Sequence, residues 1–230
     1  MKLVRYRVRI DQMRRRGLLI AFSGIDGSGK TTQIKLLQNQ LKQNGTRTLK
    51  MWSRWRPLLS LPLLRVLRRT RQVRVHHADF LTIVEFHNPK NESIASLWCF
   101  TTQLENFLKT SLKLVFPLLL GRAVICDRYV LDLLVDGISD LHDPTTRMRL
   151  GFKLLQLLPR PDRAFLIDID AETAFGRKPD LPSVSHNRER IRVYLELCRK
   201  VGVKVVDGRR SADVIHRDIW TLVSSIIPPR

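Results

Sequence analysis

The sequence predicts an α/β chain of three layers, a parallel five-stranded sheet with helices on both faces. Short apolar runs of strand length alternate along it with longer stretches whose apolar residues recur at helical spacing. The first run, from Leu18 to Ser23, is continuous rather than alternating and breaks into glycines before helical spacing resumes at Thr31. A strand buried on both faces and followed by a tight turn reads in this way.

The elements follow in order. Ile34, Leu37 and Leu41 share one face of a helix over Thr31 to Leu41, which Gly45 ends. A second strand, Thr46 to Trp52, leads into SRWRPLLSLPLLRVLRRTRQVRV, where leucines and arginines mix and no acid occurs between Arg47 and Arg74. Residues 57–75 of it predict a helix that packs its leucines inward and keeps its arginines wet. A surface for an anionic membrane or nucleic acid is the alternative. A helical region from about Glu92 to Leu120 precedes the strand RAVICD at 122–127, and helices are expected around 131–139 and 145–158. RAFLID at 163–168 is the fourth strand, Ala171 to Arg177 a short helix, and Arg188 to Val201 a longer one. VKVVD at 203–207 is the last strand, and Ser211 caps a helix carrying Val214, Ile215, Ile219, Leu222 and Ile226. In such a sheet a ligand sits beyond the carboxyl ends of the strands, where the loops after residues 23, 52, 127 and 168 converge.

The chain has 230 residues, 43% of them hydrophobic, enough for one substantial core. We expect one domain over 17–230, preceded by a basic extension, 1–16. In that extension Val4, Tyr6, Val8 and Ile10 alternate with arginines, as in an edge strand; a dispensable segment before Met13 is the equal alternative. A formal charge of +20 draws anions of every kind, so nucleotides, nucleic acid and acidic membranes all remain partners by charge alone. Cys99, Cys126 and Cys198 are far apart with no CxxC pair, which argues against a disulfide framework or a zinc site and fits a reducing cytoplasm. The most apolar stretch, about Leu112 to Cys126, is broken by Lys113, Pro117, Gly121 and Arg122 and falls short of the roughly 20 apolar residues that a membrane span needs. No apolar core for a secretory signal occurs at the start.

Gly24-Ile25-Asp26-Gly27-Ser28-Gly29-Lys30-Thr31 matches Gly-x4-Gly-Lys-Thr and lies between a predicted strand and a predicted helix, the context this phosphate-binding P-loop requires. Its glycines let backbone N–H groups turn around a polyphosphate, and the helix N-terminus adds positive charge there. Lys30 is placed to reach the β- and γ-phosphates and Thr31 to ligate Mg2+. VICDRY, Val124 to Tyr129, delivers Asp127 and Arg128 at the end of a buried strand. A carboxylate there holds Mg2+ through water, and the arginine grips a second phosphate in bidentate fashion.

FSGIDGSGKTTQIKLL followed by VICDRY resembles the thymidylate kinase family of nucleoside monophosphate kinases, whose P-loop leads into Thr-Thr-Gln and whose central strand ends in Asp-Arg-Tyr. PDRAFLIDIDAETAFGRK at 161–178 is similar to the family's strand, helix and arginine leading into its lid, RERIRVYLEL to the helix after it, and VKVVDG to the last strand. The likeness runs from about Gly17 to the C-terminus. It implies a P-loop NTP hydrolase fold with a lid, here at about 177–190, and transfer of phosphoryl from ATP to a nucleoside monophosphate, dTMP to dTDP, in nucleotide biosynthesis. It also implies ATP phosphates on Gly24 and on Gly27, Ser28, Gly29, Lys30, Thr31 and Thr32, with Asp26 near metal or acceptor. Asp127 then falls near Mg2+, Arg128 on the acceptor phosphate, and Arg177 and Lys178 close over the transferring group. For those last two, a solvated helix end whose cations suit the C-terminal dipole is the equal alternative.

The likeness thins at the acceptor site. Where the family carries Arg-Glu-Pro-Gly-Gly after its second strand, this chain has SRWRP, which leaves Arg54 or Arg56 to hold the acceptor phosphate. The family's base-recognising arginine is replaced near Asn106, within TTQLENFLK. Gln103, Glu105 and Asn106 then either read a polar acceptor or form a solvated helix face, the second being favoured. Trp52 and Trp55 either stack on a ring or pack at the strand end. Besides a thymidylate kinase, the sequence leaves open a kinase of the same fold with another phosphorylated or sugar acceptor, and a nucleotide-binding adaptor without kinase activity. A homodimer is also open, and contact with nucleic acid or an anionic membrane is compatible with the charge but not favoured.

Overall fold

Strand β1 (Leu19–Ser23) is buried at all five positions, and its residues divide between the two faces of the sheet. Ile20 and Phe22 join one apolar cluster with Ile125, Phe165 and Ile167, while Leu19 and Ala21 join another with Val124 and Cys126. The continuous apolar run thus becomes two alternating faces, each covered by helices. The computed structural model describes residues 17–52, 58–71, 73–78, 81–86, 92–140, 153–178 and 184–227. The extension 1–16, Arg54, Trp55, Arg56, most of the helix expected at 145–158 and the lid residues 179–183 lie outside them.

The main sheet has five parallel strands in the order β2 (Thr48–Trp52), β5 (Ala123–Asp127), β1, β6 (Arg163–Asp168) and β7 (Lys204–Asp207). Phe22 and Trp52 both pair with Asp127, and Asp168 pairs with Asp207, so the strands end at a common edge. Chain order reverses at β1, between β5 and β6, and opens a crevice there.

On one face, helices α1 (Lys30–Gln43) and α7 (Ala212–Ser224) pack Ile34, Leu37, Leu41, Ile215, Ile219 and Val223 against the sheet. The other face holds α3 (Glu92–Leu119), α4 (Val130–Asp140) and α6 (Val184–Val201), with Leu114, Leu118, Leu133, Leu134, Val135 and Tyr194 inward. A short helix α5 (Ala171–Arg177) follows β6, its N-terminus capped by Asp170, whose side chain accepts from the backbone N–H of Thr173 at 2.7 Å. Ser211 stands at the cap position of α7 but makes no side-chain capping bond.

The leucine and arginine stretch forms helix α2 (Leu61–Arg69) with Leu64 and Leu67 buried and Arg65, Arg68 and Arg69 exposed, as the spacing predicts. Three expectations need correction. An antiparallel pair, β3 (Val73–Ala78) and β4 (Leu81–Phe86), stands where no strand was expected. Residues 184–190, read as the end of the lid, are the first turns of α6. Gln103, Glu105 and Asn106 do not form a solvated face: all three are buried. The Glu105 carboxylate accepts the N–H groups of Leu58, Leu59 and Ser60 and the Ser60 hydroxyl, so the start of α2 is tied down over it. Among the described residues no helix is long and apolar enough to cross a membrane.

Candidate active site

The loop after β1 and the first turn of α1 form the floor of a cleft of about 650 Å³ at the carboxyl edge of the sheet. Gly29, with φ at 94°, is the cap residue of α1; it has no side chain to cap, and the first turn of the helix carries no acid. The positive end of the helix is therefore left to an incoming anion. Trp52 from β2, Asp127 at the end of β5 and Arg128 after it, Arg177 and Lys178 at the end of α5, and Gly208 and Arg210 after β7 complete the walls.

Lys30 is buried, and its Nζ donates to Gly24 O at 2.8 Å, Ile25 O at 2.6 Å and Ser28 Oγ at 3.3 Å. Burial, followed by the charge of Arg128, pushes its ammonium down to about 7, against partial compensation from Asp26, Asp132 and Asp127. A phosphate placed on this cation reverses the imbalance. Arg128 follows the last residue of β5 with φ at 71°, a left-handed backbone uncommon for a residue with a side chain. Its Nη2 donates to Asp26 Oδ1 at 2.5 Å. Asp127 pairs with Lys50 Nζ at 3.1 Å. Arg177 Nη1 donates across the loop mouth to Gly27 O at 3.5 Å and to Gly208 O at 3.4 Å, and so joins α5, the loop and the turn after β7.

The structure therefore brings together Asp26, Gly27, Ser28, Gly29, Lys30, Thr31, Thr32, Asp127, Arg128, Arg177 and Lys178 of the residues expected from sequence. Asn106 is buried on α3 and is not among the described residues lining the cleft. Lys50, Ser23, Asp132 and Tyr194 were not singled out. Of these only Asp132 carries a local signal, since it is an acid four residues after Arg128 in sequence.

Chemically, the cleft offers cations, a helix terminus and oxygen donors. Among the described residues no group of three or more His, Cys, Asp or Glu side chains is placed to hold a metal ion. The donors that are present, the Thr31 hydroxyl and the Asp26 and Asp127 carboxylates beside a glycine cradle, fit Mg2+ shared with bound phosphates. Cys126 and Cys198 are buried, and burial pushes both thiols up, Cys198 to about 12, so neither serves as a thiolate nucleophile.

No protein-family model matches the chain. Among individual proteins, the thymidylate kinase of Symbiobacterium thermophilum is 26% identical over 223 residues, which cover 93% of this chain and 95% of that one. The thymidylate kinase of Ruegeria pomeroyi is 25% identical over 221 residues, 90% of this chain and 94% of that one. The thymidylate kinase of Wolbachia pipientis wMel reaches 30% identity over 178 residues, 71% of this chain and 73% of that one.

Proposed function

Because this chain belongs to the thymidylate kinase family, we propose that it transfers the terminal phosphoryl group of ATP to a nucleoside monophosphate, with dTMP as the acceptor and dTDP as the product. The observation that carries this reading is the single cleft that gathers Lys30, Asp127, Arg128 and Arg177 around the glycine loop. Phosphoryl transfer asks a protein for positioning and for cations around the equatorial oxygens, and these four residues are of the kinds needed.

In this reading the backbone N–H groups from Gly27 to Thr32 orient the ATP phosphates. Lys30 leaves its carbonyl partners for the β- and γ-phosphates, which raise its depressed pKa and keep it charged. Mg2+ bound with ATP neutralises charge on the phosphates; Thr31 and Asp127 would hold it, with Asp26 close by. Arg128 presents its Nη2 edge to the acceptor phosphate, and Arg177 and Lys178 cover the transferring group from the end of α5. Arg54 or Arg56 adds a second grip on the acceptor. The protein works in the cytoplasm, where both nucleotides are found.

A second acceptor class keeps one observation on its side. Asn106 stands where the family resemblance calls for a base-reading arginine, and it is buried at 7% exposure. The charged, forked donor that the resemblance gives to base reading is absent at this position, and Asn106 is not among the described residues lining the cleft, which favours another phosphorylated or sugar acceptor.

The test is an ADP-release assay with ATP and Mg2+ against dTMP, dUMP, the other nucleoside monophosphates and free sugars, with Lys30→Ala as control. Turnover highest on dTMP, reduced roughly 10²–10³-fold or more in Lys30→Ala, is expected. Turnover on a sugar alone selects the second class. No turnover on any acceptor by a protein that binds ATP rejects both.

A further inference from the structure

Behind the cleft, on the side of Arg128 away from Asp26, lies a buried polar cluster that the proposed transfer does not use. Its centre is Asp132, in the first turn of α4 and 1% exposed. One carboxylate oxygen, Oδ2, accepts the Ser23 hydroxyl at 2.6 Å and the backbone N–H of Tyr129 at 3.0 Å. The other, Oδ1, accepts the Tyr194 hydroxyl at 2.7 Å and Arg128 Nη1 at 3.3 Å. Tyr194 lies 1% exposed on α6, and its hydroxyl also accepts from Arg128 Nη1 at 3.4 Å. The end of β1, the turn after β5, α4 and α6 therefore meet on one carboxylate.

Stability alone is a poor reason for this arrangement. Burying a carboxylate and a guanidinium costs desolvation that their attraction does not reliably return, and apolar residues of similar volume often serve as well. What the cluster does supply is direction. Arg128 has two carboxylates within reach, one on each edge: Asp26, on the loop with its side chain 35% exposed, and Asp132, whose side chain is 1% exposed and held by three other donors. Were Asp26 its sole partner, the guanidinium would turn onto that carboxylate with both edges and present neither to a ligand. Asp132 and Tyr194 keep Nη1 turned inward, so Nη2 alone faces the cleft and an incoming phosphate competes with Asp26 for that edge only.

We propose that Asp132 and Tyr194 are positioning residues that hold the Arg128 guanidinium edge-on toward the acceptor phosphate. This rests on the acceptor role given to Arg128 above. Neither residue touches a reacting atom, so their effect falls on acceptor binding and spares ATP binding.

Two measurements on the full chain test it, and the first does not depend on which acceptor is used. In protein carrying ¹⁵N-labelled arginine, the Arg128 guanidinium is assigned by its loss in Arg128→Lys. Wild type is expected to show separate Nη1 and Nη2 proton resonances, because both edges are held; Tyr194→Phe and Ser23→Ala are expected to average them. Asp132→Asn is made as well, and the two milder variants keep the test valid if it does not fold. In the second measurement Tyr194→Phe, which removes the hydroxyl that donates to Asp132 and accepts from Arg128, raises the KM for dTMP about tenfold, with the KM for ATP within about twofold and the melting temperature within a few degrees. Unchanged Arg128 resonances in all the folded variants overturn the proposal. So does an unchanged dTMP KM, or an equal rise in both KM values with lost thermal stability, which marks a structural role. If wild type does not turn over dTMP, the proposed acceptor fails and the resonances alone decide the positioning.

Discussion

At the scale of single residues, the glycines of the loop are not equivalent. Gly27 has φ at 81°, and a Cβ there would come within 2.7 Å of Ala174 O, in the backbone of α5. Gly29 has φ at 94°, but a Cβ there meets nothing within 4 Å. Both substitutions to alanine carry the cost of a left-handed backbone, roughly 1–2 kcal/mol. Only Gly27→Ala must also push α5, and with it Arg177, away from the loop. Gly27→Ala is therefore expected to weaken ATP binding at least tenfold more than Gly29→Ala, as read by calorimetric titration; equal losses would mean that α5 does not brace the loop. The loop itself is legible in sequence because its chemistry is written in eight consecutive residues. Asp127 and Arg128 are legible for a similar reason, since a buried strand ends on them. Ser23 and Tyr194 are not legible, because they reach Asp132 across 109 and 62 residues and no local spacing records the meeting.

At the scale of elements, polarity misleads where tertiary cover decides burial. Gln103, Glu105 and Asn106 read as a wet face because they are polar, yet all three are buried, Glu105 beneath the segment 58–60, whose N–H groups its carboxylate accepts. The β3–β4 pair escaped notice because Val73 and Val75 alternate within a stretch dominated by arginines, so a helical reading of the whole stretch took precedence. The tie at Glu105 has a consequence in pH. Burial by itself would raise this carboxyl, but hydrogen bonds from Lys109, from the Ser60 hydroxyl and from the backbone N–H groups of Ser60 and Leu59 outweigh it and hold the pKa at about 2, below the ordinary 4.5. A carboxylate depressed on folding supplies stability that is complete above its unfolded pKa and is lost as pH falls through the folded one. The window is therefore from about pH 4.5 down to about pH 2, and the shift corresponds to about 3 kcal/mol. Urea unfolding at pH 5.5 and again near pH 2 is expected to show Glu105→Gln less stable than wild type at the higher pH and close to it at the lower. Parallel curves, with the same gap at both pH values, would show that the tie contributes nothing that titrates.

At the scale of the whole molecule, the two halves of α3 meet different surroundings. Its first half is covered from outside, since Leu64 and Leu67 of α2 pack on Trp98 and Ile94. Further along the same side, Leu108, Leu112, Phe116 and Leu119 are exposed, Leu112 at 78% and Phe116 at 67%, and Leu58 and Leu59 stand exposed where the cover ends. A row of this kind is more than the scattered apolar residues that any surface carries. The molecule's +20 charge opposes self-association through that row. The core is elsewhere, in the layers that the alternation of strands and helices made legible from the start. Leu37 on α1 is fully buried, in a cluster with Ile219 and Val223. Leu37→Ala is expected to cost about 2–5 kcal/mol, because it removes buried methyl groups and leaves a cavity between α1 and the sheet. In a chain of this size that lowers the melting temperature by roughly 4–20 °C. Leu112→Gln with Phe116→Gln removes a larger apolar surface yet touches nothing that folding buries, so the melting temperature is expected to stay within about 2 °C of wild type. The comparison is made by calorimetry at low and at high protein concentration. A loss from the surface pair comparable to that from Leu37→Ala, growing with concentration, would show that the row is covered in solution by a second copy of the chain. In that event the stability of the fold would depend on a partner as well as on its own sheet.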